Sequence, residues 1–238
     1  MTLLITFILG LFLLLGAVIA RGVKEKETVE ELSIAIGFGA LLIVALFDLI
    51  PELAHTFNSD KFYVPVAFVL AGFGLLKVLD IFIPDHASND DESREMIHIG
   101  LISAFAIIIH NVIEGMAVYG IALESMRQGV SLAFGIGLHN IPMGMLIYTT
   151  LKDEDRTKKY LVIGLATIST FLGGLAMTMM DGYMDAFIID IMIAMTLGMI
   201  IYILALELFP HMMRQGSAKV SVTGAIAGAA VTAIAMMF

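Results

Sequence analysis

Apolar residues in this chain fall in long unbroken blocks, not in the alternation of a strand or the one-sided stripe of a surface helix. Eight blocks can be marked, at roughly 1–20, 32–54, 62–83, 96–123, 128–151, 160–180, 186–210 and 219–238. Each approaches the ~20 apolar residues that a helix needs to cross a hydrocarbon layer of ~30 Å. The connections are short and polar, and the longest runs from Pro84 to Glu95. The pattern predicts an all-α integral membrane protein with eight transmembrane helices, forming one domain over 1–238. Nothing basic precedes the first block, and it is too long for the apolar core of a signal peptide, so it is expected to be a span.

Eight spans place both termini on one side, and positive charge decides which side. The loops that share the side of the termini follow spans two, four and six and carry only Lys61 and Arg127. The opposite loops carry Arg21, Lys24, Lys26, Arg94, Lys152, Arg156, Lys158, Lys159, Arg214 and Lys219. Lys77 lies inside span three. Cytoplasmic loops hold the excess of Lys and Arg, so both termini are expected outside the cell.

Composition narrows the function classes. Hydrophobic types make up 59% of the 238 residues and charged types 15%, and the mean hydropathy is +0.96. Soluble domains are about half apolar and a quarter charged, which excludes a water-soluble enzyme. With 13 Lys+Arg against 22 Asp+Glu the net charge is −9, and no basic patch exists to hold nucleic acid. The absence of cysteine excludes disulfides, thiolate zinc sites and iron–sulfur clusters. Tryptophan is absent too, which leaves tyrosine for the membrane interface.

Two pairs of segments resemble each other. Span four holds His110-Asn111-Val112-Ile113-Glu114-Gly115-Met116, and span five holds His139-Asn140-Ile141-Pro142-Met143-Gly144-Met145. Span two holds Asp48-Leu49-Ile50-Pro51-Glu52, and span seven holds Glu207-Leu208-Phe209-Pro210-His211. Spans four and five run in opposite directions, as do spans two and seven. Nested pairs of this kind are what an inverted repeat produces, and transporters built that way bind substrate near the midplane of the bilayer.

An ionisable side chain at bilayer mid-depth is costly and is a functional candidate by default. His110 and His139 both lie near the middle of their spans. His110 and Glu114 are four residues apart and share one helix face. Imidazole and carboxylate at that spacing make a partial ligand set for a divalent transition metal. Asn111 and Asn140 stand beside the histidines, either as carbonyl-oxygen ligands or as interhelical hydrogen-bonding glue. Gly115, Gly135 and Gly144 suit close helix packing, as do Gly224 and Gly228 in span eight. Pro142 either frees the carbonyl of Leu138 toward a cavity or simply kinks span five.

The remaining polar residues mark a route. Asp48, Glu52 and His55 fall near the outer end of span two, and Asp181, Asp185 and Asp190 add negative charge on that side. A mouth lined with carboxylates concentrates cations. Glu207 and His211 fall near the cytoplasmic end of span seven and, with His86, are expected to line the exit. The segment 85–98 carries Asp85, His86, Asp90, Asp91, Glu92, Glu95 and His98, and reads as an acidic connector. Lys77 and Asp80 are spaced to pair with each other within span three.

At these residues the chain resembles the ZIP (Zrt/Irt-like) family of divalent metal transporters, along its whole length. The specific part is HNxxEG at His110–Gly115 and HNIPxG at His139–Gly144. The resemblance implies a 3+2+3 arrangement of eight helices with both termini outside, a metal-binding loop between spans three and four that includes His86, and a site lined by the two motifs. It implies a divalent ion such as zinc, iron, manganese or cadmium as substrate, moved into the cytoplasm of a prokaryotic cell across its inner membrane. No resident cofactor is expected. The expected partners are the ion and the lipid bilayer, with a homodimer left open.

Two positions depart from the family pattern. Met143 stands where span five usually has a Glu that bridges two metals, and Thr170, before Phe171-Leu172-Gly173-Gly174, stands where span six usually offers another. The expectation is therefore a single site made by His110, Glu114 and His139, completed by Met143 or water, with Asn111 and Asn140 as second choices. An intramembrane metal-dependent hydrolase using the same ligands is the alternative, although no HExxH or GxSxG motif is present.

Overall fold

The computed structural model describes residues 1–22, 26–57, 62–82, 92–180, 186–215 and 217–237. Among these residues the secondary structure is entirely helical, with eight stretches long and apolar enough to cross a membrane. Span one is α1 (Thr2–Gly22). Span two is α2 (Lys26–Val44), a π-helical turn at Ala45–Leu49, and α3 (Ile50–Phe57). Span three is α4 (Tyr63–Phe82), span four α5 (Glu92–Glu124), span five α6 (Met126–Thr150) and span six α7 (Arg156–Met179). Span seven repeats the broken form of span two: α8 (Ala186–Tyr202), a π-helical turn at Ile203–Leu208, and α9 (Phe209–Gln215). Span eight is α10 (Ala218–Ala235).

The apolar blocks locate every span. The differences are at helix ends: α2 begins at Lys26, six residues before its block, α9 runs on to Gln215, and α5 begins at Glu92, so that His98 belongs to a helix and not to a connector. Pro142 does not interrupt α6. The two π turns have a common cause. Pro51 and Pro210 have no N–H to give to the carbonyls four residues back, and their rings would clash with them. Those carbonyls belong to Phe47 and Leu206, both inside a π turn. The widened turn absorbs the mismatch and re-aims its side chains, a device common at functional sites. Asp48 and Glu207 occupy equivalent places, each three residues before its proline.

In lipid, helices associate through close packing more than through burial of apolar surface, and small residues set the closest approaches. Four helix pairs are joined by reciprocal glycines. A Cβ on Gly16 would fall 2.0 Å from the Ile141 carbonyl oxygen, and one on Gly144 1.9 Å from that of Leu13, joining α1 to α6. Gly115 and Gly173 meet the Thr170 and Val112 carbonyls in the same way between α5 and α7. Gly39 and Gly228 join α2 to α10, and Gly72 and Gly198 join α4 to α8. Exchanging spans 1–4 with spans 6, 7, 8 and 5 maps the α1–α6 seam onto α7–α5, and α2–α10 onto α8–α4. The backbone thus carries the inverted repeat that the two motif pairs predict. Gly115, Gly144 and Gly228 serve helix approach, as expected of them.

The helices sort into two groups. One holds α1, α5, α6 and α7. The other holds α2, α4, α8 and α10, with α3 and α9 as extensions. The main core fills the space between and within the groups, with Leu41, Leu53, Ile107, Leu146 and Tyr202 among its fully buried members. Large apolar side chains such as Leu4, Phe47, Leu70, Leu161 and Ile226 remain exposed on the outside, as a lipid-facing surface requires.

Candidate metal centre

α5 and α6 cross with their motif residues facing each other. Glu114 Oε1 lies 2.9 Å from His110 Nε2 on its own helix and 2.8 Å from His139 Nε2 across the interface. The two imidazole rings are tilted by 35° with centroids 6.1 Å apart. One ligand atom from each of the three residues fits within 4.8 Å of the others, and all three side chains are buried. The contacts are not equivalent. His139 forms a hydrogen bond to Glu114, whereas His110 Nε2, though close, and Glu114 Oε2 have no hydrogen-bond partner among the described residues. Ligand atoms that converge on one point and satisfy one another only in part suit a shared cation.

Through His110 and Glu114 the cluster borders a cavity of about 440 Å³ between the two helix groups. Its walls come from the outer parts of α5 (Ala117, Gly120, Ile121), α6 (Leu132, Ile136), α7 (Met177) and α8 (Met192, Thr196). By the charge-based orientation it therefore opens to the outside. Asp48 of the first π turn and Glu52 of α3 line the same cavity as His110 and Glu114, from the other helix group. Thr196 adds a buried hydroxyl with no partner among the described residues. Inward of His110, the same face of α5 continues as Ile107, Ser103, Gly100 and Met96, all buried. There α5 is pressed against Thr150 and Leu151 at the end of α6, where a Cβ on Gly100 would collide with both. The route is open above the cluster and packed shut below it.

The other candidates divide. Asn111 Nδ2 donates to the Ala166 carbonyl at 3.2 Å, tying α5 to α7, while its Oδ1 is buried and unpaired. Asn140 is buried, and neither amide atom has a partner among the described residues. Met143 lies one turn inward of His139, fully buried in the main core. Thr170 is buried, and its hydroxyl donates to the Thr6 carbonyl at 3.0 Å, so it stitches α7 to α1. The side chain of His55 lies outside the described residues, as do Asp85, His86, Asp90, Asp91, Asp181 and Asp185.

A second cluster at the cytoplasmic end was not legible as a unit in the sequence. Asp80 of α4, His98 of α5 and Glu207 of the second π turn bring ligand atoms within 4.8 Å of one another. His98 Nε2 is 2.9 Å from Asp80 Oδ1 and 3.9 Å from Glu207 Oε1. The three come from positions far apart in the chain, and only the helical start of α5 turns His98 toward the other two. His211 is adjacent but engaged elsewhere: its Nδ1 lies 3.3 Å from Glu95 Oε1, which also accepts from Arg214 at 2.7 Å.

A buried ligand set reached from one face of the bilayer, with a further set toward the other face, suits an ion that is passed on rather than kept. The class is that of a multi-pass membrane transporter. Sequence comparison makes it particular: residues 84–236 match the family described as ZIP zinc transporter, and the chain belongs to that family. A relative named zinc transporter ZupT from Chlorobium phaeovibrioides is 30% identical, over 99% of this chain and 96% of its own. Proteins of the same name from Akkermansia muciniphila and Clostridium perfringens are 28% and 25% identical, over 98% and 100% of this chain. These relatives are transporters by name, and the hydrolase alternative finds no support among them.

Proposed function

We propose that this protein carries zinc, and related divalent ions such as iron, manganese and cadmium, into the cytoplasm across a bacterial inner membrane, with His110, Glu114 and His139 as the midplane ligands. The observation that carries this reading is the convergence of those three side chains, buried and incompletely bonded to one another, beside an outward cavity that His110 and Glu114 line. Asp48 and Glu52 draw the ion in. The unpaired Oδ1 of Asn111 and the amide of Asn140 stand ready as further oxygen donors. Met143 and Thr170 supply no carboxylate, so one ion per protomer is the expected load. Movement of the α1/α5/α6/α7 group against the other would close the outer cavity and open the packed inner route, where Asp80, His98 and Glu207 receive the ion. Acid should weaken binding, because imidazole and carboxylate must both be deprotonated to hold metal.

Uptake into liposomes containing the purified protein tests this. Saturable entry of zinc is expected, and both His110→Ala and His139→Ala should abolish it while the protein still inserts and folds. Near-normal uptake by both variants would sink the midplane assignment.

A further inference from the structure

Lys77 has no part in the route described so far, yet a cation inside a transmembrane helix is costly. It sits on α4 about 7.5 Å before the helix end, at 1.5 Å per residue. Its stem is largely exposed toward lipid, and its amine turns back to Asp80 Oδ2 at 2.5 Å. Tyr202 donates to the same oxygen at 2.7 Å. The other oxygen of Asp80 faces His98. The carboxylate is thus divided, with one side held by Lys77 and Tyr202 and the other presented to the inner ligand set. Two carboxylates and a neutral imidazole would give that set a formal charge of −2, a match for a dication. Lys77 reduces it to −1.

We propose that Lys77 is a tethered counter-cation that keeps the inner set of Asp80, His98 and Glu207 weak for the transported ion, so that the ion passes through instead of lodging there. This rests on the transport reading above. A dication at Asp80 Oδ1 lies a few ångströms from the ammonium. Even with the dielectric constant of water, repulsion at ~6 Å weakens binding about tenfold, and more in a less polar setting. The flexible lysine stem lets the amine yield as the ion arrives and return as it leaves. Span three therefore carries its own competitor for the exit carboxylate. Simple neutralisation of Asp80 would need a cation only for stability; a competitor also sets how many ions the protein retains and how fast they leave.

The test is zinc stoichiometry by equilibrium dialysis of the full-length protein, alongside uptake rates in liposomes. Wild type should bind one ion tightly. Lys77→Met and Lys77→Gln should each bind a second, with the maximal uptake rate at least about threefold lower. Lys77→Arg keeps the charge and should restore both wild-type values. Adding His98→Ala to Lys77→Met should remove the second ion again. The polar Gln variant stands in if the Met variant fails to accumulate. One bound ion and wild-type uptake in the neutral variants would overturn the proposal, as would a second ion in Lys77→Arg. Wild-type protein that neither binds nor transports zinc would instead overturn the transport reading itself.

Discussion

Glu114→Gln isolates the contribution of charge at the midplane. The substitution preserves shape and removes the one carboxylate that both histidines approach, at 2.9 and 2.8 Å. With an effective dielectric constant of ~20, a dication and a carboxylate ~4 Å apart attract by ~8 kcal/mol. A glutamine oxygen still coordinates, and its desolvation costs less, so most of that difference is recovered. If about a third remains, the loss is ~2.5 kcal/mol, close to two orders of magnitude in Kd. The metal-free protein should be little affected, since the amide can still hydrogen-bond to His139. Zinc titration calorimetry in detergent should therefore show a Kd about fiftyfold or more weaker, with an unchanged apparent melting temperature. Uptake at subsaturating zinc should fall in proportion. A Kd within about threefold of wild type would show that Glu114 does not touch the ion. A collapse of the melting temperature would show that its role is structural.

Three further outcomes can be checked. Met143→Glu restores a carboxylate one turn inward of His139, and crystals soaked in zinc or cadmium should then show two anomalous peaks about 4 Å apart where wild type shows one; two peaks of equal height in wild type would end the single-ion reading. Cysteines placed at Thr157 and Ser217 should react with an impermeant reagent only from the cytoplasmic side, and labelling of intact cells would reverse the route. Gly144→Ala forces a methyl group onto the Leu13 carbonyl, where a Cβ would sit 1.9 Å from backbone that cannot yield. It should cost about 1–3 kcal/mol, read as a lower melting temperature, while Gly164→Ala, which meets nothing within 4 Å among the described residues, should have no such effect.

The spans were legible because lipid imposes a length and a composition that no other environment demands. His110 and Glu114 were legible because helical spacing alone puts them on one face, and His139 because its HN pair echoes theirs. The π turns were not, since a widened turn has no compositional mark of its own; the only trace was Pro51 and Pro210 at matching places in two similar segments. The inner cluster was hidden for a different reason. Asp80 could be paired with Lys77 by spacing, and the pair exists, but no spacing relates residues 80, 98 and 207. Their meeting depends on the packing of three spans and on α5 starting several residues before its apolar block.

The glycine seams bear on how the chain is made. Each joins a helix from spans 1–4 to one from spans 5–8: α1 to α6, α5 to α7, α4 to α8 and α2 to α10. Neither half can close its own seams. During synthesis the first four spans enter the bilayer before any partner exists, and α2 waits for α10, six spans later. Assembly is therefore a late event, completed only once span eight has entered the bilayer. A nascent protein stalled before span eight would leave Gly39 facing lipid, and quality-control proteases would meet an unpaired helix rather than a smaller folded core.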